Sequence, residues 1–234
     1  MTTSPSTTPA SPRESRDAAS APSALRVAGL RFRYGPGPWI IDLAELSLAP
    51  GEQVLLTGRS GSGKSTLLQL IAGLVDPLQG SVEVDGRNVH ALSGSARDLF
   101  RGQRIGMIFQ TFQLLPGFTA RENVMLALLF AGRAPREQRE RADRLLVELG
   151  IERADAAVDE LSVGQQQRVA VARAVACNPS LVLADEPTAS LDCENAGIAM
   201  DLIQESCRRT GAALLCASHD PALAARFTRK VSLT

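Results

Sequence analysis

Lysine is nearly missing from this chain. Of 25 basic residues only Lys64 and Lys230 are lysine, and the rest are arginine. Histidine occurs only as His90 and His219, and aromatic residues make up 4% of the sequence, with one Trp and one Tyr. Neither sign of charge is in excess: 25 basic residues balance 25 acidic ones. That balance argues against a general nucleic-acid binder, which carries a basic excess, yet it leaves room for a local phosphate site. No apolar run reaches the ~20 residues that span a bilayer. The run 125–131 has only the length of a buried helix. Cys177, Cys193, Cys207 and Cys216 show no C-x-x-C spacing and no nearby histidine pair. A zinc site and a disulfide framework are therefore disfavoured, and a reducing cytosol fits.

What is present is ordinary in bulk: 234 residues, 44% apolar and 21% charged. Such a chain can bury a core as one large domain or two small ones. Residues 1–24 stand apart, because Ser, Thr, Pro and Ala supply nineteen of them and no aromatic or branched aliphatic residue appears. That composition predicts a disordered tail, and without an apolar stretch it is not a secretory signal. From residue 25 onward, strands are expected at 25–32, 40–48, 53–57, 81–84, 105–109, 181–184 and 212–217. Helical periodicity marks 66–74, 120–151, 169–176 and 198–209. Short apolar strands alternating with helices predict a parallel sheet with crossover helices. The mixed charge over 133–153 reads as a solvated helical face, with Glu137→Arg141 and Glu140→Arg144 as i,i+4 pairs.

One segment explains why a lysine survives. Gly58-Arg59-Ser60-Gly61-Ser62-Gly63-Lys64-Ser65, followed by Thr66, fits the G-x-x-x-x-G-K-[ST] pattern between an expected strand and an expected helix. Glycines let the backbone wrap an anion with its N–H groups inward, and the helix N-terminus adds a favourable dipole. Lys64 would bridge the β- and γ-phosphates as a compact charge, and Ser65 would ligate Mg²⁺. Arginine is wider and forked, a poor substitute in that ring. A distant carboxylate should complete the metal site. Asp185, ending the apolar run 181–184, fits that part, and the adjacent Glu186 could polarise an attacking water.

With both motifs in place the chain resembles the ATP-binding subunits of ABC transporters. The discriminating cue is Leu161-Ser-Val-Gly-Gln165-Gln-Gln-Arg-Val-Ala, similar to the LSGGQ signature and its helix and 24 residues before Asp185. The fold this resemblance implies is α/β: a P-loop NTPase with a mainly parallel sheet core, an antiparallel β subdomain and a helical subdomain. The cassette would cover 25–234, with the helical subdomain at about 111–177. Several roles follow from the same resemblance. Gln110 looks like the Q-loop glutamine, which contacts Mg²⁺ or water and senses the membrane partner. Ser190-Leu191-Asp192 looks like the D-loop, and His219 like the switch histidine on the γ-phosphate. Tyr34, 24 residues before Gly58, resembles the A-loop aromatic that stacks on adenine, with Phe32 as a weaker rival. Ser162, Gly164 and Gln165 would act in trans on the other subunit's ATP.

The stretch from Gln113 to Val124 is similar to the region after the Q-loop in the lipoprotein-release and macrolide-export group. Departures are few: Val163 stands where the signature has its first glycine, with Gly164 retained. The chain also ends 15 residues past His219, so a short last strand is expected and no C-terminal regulatory domain.

The function implied is ATP binding and hydrolysis that powers a membrane permease, of export or lipoprotein-release type. ATP and Mg²⁺ are the expected cofactors. Expected partners are a second copy of the chain, joined head to tail through sandwiched ATP, and integral permease subunits, with no nucleic acid. The expected location is cytoplasmic, on the inner face of the membrane. Two other readings remain: a soluble ABC ATPase of DNA repair or translation, and a nonhydrolytic scaffold. The first would need a coiled-coil insertion, tandem cassettes or a basic surface, and Glu186 with His219 argues against the second.

Overall fold

A computed structural model describes residues 23–233. Of the expected tail, 1–22 lie outside the described residues. Its last two belong to the fold: the Ser23 hydroxyl donates to the Leu25 carbonyl at 2.7 Å, and Ala24 is buried.

Two sheets organise the molecule. In the first, β1 (Leu25–Phe32), β2 (Ile41–Leu48), β4 (Gln79–Val84) and β5 (Arg87–Asn88) pair antiparallel in the order β2-β1-β4-β5. In the second, β3 (Gln53–Thr57), β6 (Ile105–Ile108), β7 (Leu181–Asp185), β8 (Ala213–Ala217) and β9 (Arg229–Ser232) lie parallel in the order β6-β7-β8-β3-β9. The helices are α1 (Lys64–Ile71), α2 (Gly94–Arg104), α3 (Ala120–Phe130), α4 (Pro135–Glu148), α5 (Val163–Val175), α6 (Cys193–Thr210) and α7 (Pro221–Ala224).

The inner strands β7 and β8 are apolar on both faces, because both faces are covered, whereas the edge strand β9 is half-exposed. Alternate residues join different cores. Leu55, Val182, Ala184, Leu214 and Cys216 pack with α3 to α6. Val54, Leu56, Leu181, Leu183 and Leu215 pack with α1 and the antiparallel sheet. Period-2 side-chain alternation thus divides one sheet between two apolar layers.

Three expectations change. The single helical stretch 120–151 is broken at Gly132, whose φ of 74° ends α3. The pairs Glu137→Arg141 and Glu140→Arg144 are not closed. Glu140 instead pairs with Arg136, while Arg141 turns inward to the Ala176 carbonyl and the Asn178 side chain. The apolar run 125–131 is only partly buried: Leu129 is 53% exposed and Phe130 69%.

Candidate functional site

Four of the loops that carry sequence motifs leave the same edge of the parallel sheet. Pairing of Ile108 with Ala184, Asp185 with Ala217 and Leu56 with Ala217 puts the C-terminal ends of β6, β7, β8 and β3 side by side. Gln110, Glu186, His219 and the glycine-rich loop follow those ends. Ligands bind beyond the carboxyl ends of strands in open α/β sheets. There a cavity of about 480 Å³ is lined by Ile40, Ser60, Gly61, Gly63, Lys64, Ser65, Thr66, Gln110, Glu186 and His219.

The loop conformation depends on glycine at specific points. Gly63 caps α1 at φ 89°, and a Cβ there would meet the Ile40 side chain at 2.9 Å. A Cβ on Gly58 would meet Ser62 Oγ at 2.4 Å. No side chain caps the N-terminus of α1, so its first N–H groups stay open toward the cavity.

Lys64 is 7% exposed, and its Nζ donates to the Gly58 carbonyl at 3.0 Å and the Arg59 carbonyl at 3.4 Å. It also lies 3.6 Å from Glu186 Oε1. Glu186 has φ 47°, a left-handed conformation that costs a non-glycine residue ~1–3 kcal/mol and is held only where surroundings fix it. Those surroundings are clear. Ser218 Oγ donates to Glu186 Oε2 at 3.0 Å, and His219 Nδ1 meets Oε1 at 2.8 Å. The Glu186 amide donates to the Ala217 carbonyl at 2.9 Å.

Asp185 is next to this group but does not line the cavity. Burial raises its pKa above the ordinary aspartate value, against the Ser65 hydroxyl bonded to it and against Lys64, which lower it; the Glu186 charge adds to the rise. Its Oδ1 is buried without a hydrogen-bond partner. An orphaned carboxylate oxygen beside a serine hydroxyl fits a hard, oxygen-seeking cation such as Mg²⁺. Among the described residues no group of three His, Cys, Asp or Glu side chains could hold a metal alone. A cation held there would need further oxygens, and the Ser65 hydroxyl bonded to Asp185 stands ready as one.

Other predicted residues stand elsewhere. Tyr34 does not line the cavity; it is 59% exposed and packs edge-on against Phe32, ring centres 4.8 Å apart. Gly58 and Arg59 contribute carbonyls to Lys64, and Ser62 Oγ is buried without a partner. Ser162, Gly164 and Gln165 begin α5, far along the chain from the lining residues. There Ser162 and Gln165 close a capping box, with Ser162 N donating to Gln165 Oε1 at 3.0 Å and Gln165 N to Ser162 Oγ at 3.3 Å. Asp192 caps α6 by accepting from Asn195 N at 2.9 Å. Sequence reasoning missed Ser218 and Ile40 in the site, and Trp39, over whose ring Arg33 stacks at 4.6 Å. Ser218 carried no spacing signal of its own, although it directly precedes His219.

A glycine cradle at a helix start, a buried lysine, and carboxylates at the end of β7 in the same sheet define a P-loop nucleotide-binding α/β protein. Comparison with known proteins narrows the class. The family model described as ABC transporter matches residues 41–189. The ATP-binding cassette MJ0796, solved as a dimer in a post-hydrolysis state bound to ADP and Pi, is 34% identical. It superposes with a TM-score of 0.78 over 90% of this chain and 94% of that one. CbiO1 from Clostridium perfringens, part of the ABC transporter complex cbiONQ, is 30% identical, with a TM-score of 0.75 over 85% of this chain and 79% of its own. The chain belongs to the ABC transporter family, as one of its ATPase cassettes.

Proposed function

We propose that this chain is the ATP-hydrolysing subunit of a transporter of the export or lipoprotein-release type, working as a head-to-tail dimer on a membrane permease. The observation that carries the dimer is the separation of two motifs. The cavity holds Lys64, Ser65, Gln110, Glu186 and His219, while Ser162, Gly164 and Gln165 are absent from its lining. Gly164 has open space where a Cβ would stand, so nothing in its own chain requires glycine there. Close approach of a second copy's phosphate does require it. ATP would be held between the cradle of one copy and the signature helix of the other.

In the cradle, Lys64 would leave the Gly58 and Arg59 carbonyls for the β- and γ-phosphates. Ser65, Gln110 and Asp185 would hold Mg²⁺, which neutralises phosphate charge when bound. Glu186, fixed by Ser218 and His219, would take the proton of the attacking water, and His219 would contact the γ-phosphate. Tyr34 would stack on adenine and Asp192 would face the partner's site.

Support for a permease comes from a groove of about 570 Å³ between α2, β6, α3 and α5. Phe130, Met107, Ala127 and Gln113 line it. Exposed Phe130 and Leu129 beside a groove of this size support a docking surface there. The stretch 113–124, which carries the likeness to the lipoprotein-release and macrolide-export group, borders it. No described helix is long and apolar enough to cross a membrane. The chain would be a cytoplasmic subunit bound to the inner membrane face through its permease. We assign the cassette to 23–234, two residues earlier than the sequence boundary at 25, its helical subdomain to about 111–177, and a tail to the residues before it. Glu186→Gln tests the chemistry: turnover should fall roughly 10²–10⁴-fold while ATP still binds. Unchanged turnover would remove Glu186 from the role of base.

A further inference from the structure

Behind Gln110 the chain makes a strained turn. Phe112 and Gln113 are both left-handed, at φ 57° and 47°, although neither is glycine. A side chain in that region crowds its own backbone, so two in succession persist only when other groups hold them. Local bonds are short-range: Phe112 N donates to the Phe109 carbonyl at 3.0 Å, and Gln113 N to the Thr111 carbonyl at 2.6 Å.

The distant support comes from α5, the helix that begins with the signature. Arg173 Nη2 donates to the Phe112 carbonyl and Nη1 to the Gln113 carbonyl, each at 2.6 Å. Burial alone lowers the pKa of this guanidinium, with no carboxylate acting on it. The two carbonyls are therefore what it is aimed at. On the opposite side, Ser190 Oγ donates to the Gln110 carbonyl at 3.4 Å. Arg173 and Gln113 also line the apolar groove, whereas Gln110 lines the nucleotide cavity. The turn between them joins the two.

We propose that Arg173 is a positioning residue: its planar fork on the Phe112 and Gln113 carbonyls holds the strained turn and so keeps Gln110 in the nucleotide cavity. The inference rests on the role proposed above for Gln110. A lysine would keep the charge without the fork, so it should not substitute. Glycine at 113 would accept φ 47° without strain and should lessen the need for the clamp.

The test is steady-state ATPase of the full chain across Mg²⁺ and ATP concentrations, with a thermal melt of each variant. Gln110→Ala, Arg173→Gln and Arg173→Lys should each lower kcat roughly tenfold or more and raise the half-saturating Mg²⁺, with KM for ATP little changed. Adding Gln113→Gly to Arg173→Gln should restore part of both. A merely structural role would lower the melting temperature and leave the Mg²⁺ dependence in place. If Gln110→Ala shifts that dependence and neither Arg173 variant does, the clamp is refuted and the reading of Gln110 stands. If Gln110→Ala has no effect, both are overturned. Should Arg173→Gln fail to fold, Arg173→Lys with and without Gln113→Gly makes the same comparison.

Discussion

Lys64, Glu186 and Asp185 form a small electrostatic unit in which each charge has a temporary or incomplete partner. Lys64 rests on loop carbonyls and near Glu186, groups that a triphosphate would replace. Asp185 pays for burial with a raised pKa and an orphaned oxygen. The sign of its stability effect follows. A carboxyl whose folded pKa is raised destabilises the fold when ionised, so this cost is present at neutral pH and disappears as pH falls through the folded value toward 3.8, the ordinary one. Asp185→Asn should therefore melt higher than the parent at neutral pH without nucleotide or metal. Its advantage should vanish on acidification below the ordinary aspartate range, as denaturation at several pH values would show. A lower melting point at neutral pH would contradict this. Ser218 acts on the neighbouring carboxylate. Ser218→Ala removes the donor to Glu186 Oε2 and should lower kcat roughly tenfold with little change in KM for ATP, read in the same steady-state assay.

At the scale of elements, close approaches decide what is replaceable. Gly106 in β6 lies against α5, and a Cβ there would sit 2.2 Å from the Ala174 carbonyl. Backbone cannot yield as a side chain does, so Gly106→Ala should destabilise the fold by about 2 kcal/mol or more in denaturant titration. Stability within about 0.5 kcal/mol of the parent would mean that strand and helix can separate freely. The same elements show what could be read from sequence. Strands β1 and β3 were legible to the residue, because alternating or continuous apolar runs end at Gly and Pro punctuation. Helix α2 was not, since Phe100 is its only buried residue and a helix with so little apolar face leaves no period to detect. Helix α5 begins at Val163, before its apolar pattern at 169, because Gly164 and three glutamines hide its first turn. The Ser162–Gln165 capping box was the available signal for that start. Among site residues, the cradle and strand-end carboxylates were legible from spacing. The Arg173 clamp was not, since it depends on packing between segments some sixty residues apart.

For the molecule as a whole, a balanced charge is compatible with a polyanionic ligand because the phosphate site is built from backbone N–H groups and one placed lysine. The two apolar layers hold the parallel sheet, and its carboxyl edge gathers Lys64, Gln110, Glu186 and His219 on one side of the fold. What that edge lacks is the signature segment, which a second copy would supply. The most direct test is the mass of Glu186→Gln in solution by light scattering, with and without ATP. Slow hydrolysis should preserve any ATP-bound pair. A species near the 24.8 kDa of one chain is expected without nucleotide, and a doubled mass with ATP. A mass that stays at one chain while ATP is demonstrably bound would contradict it.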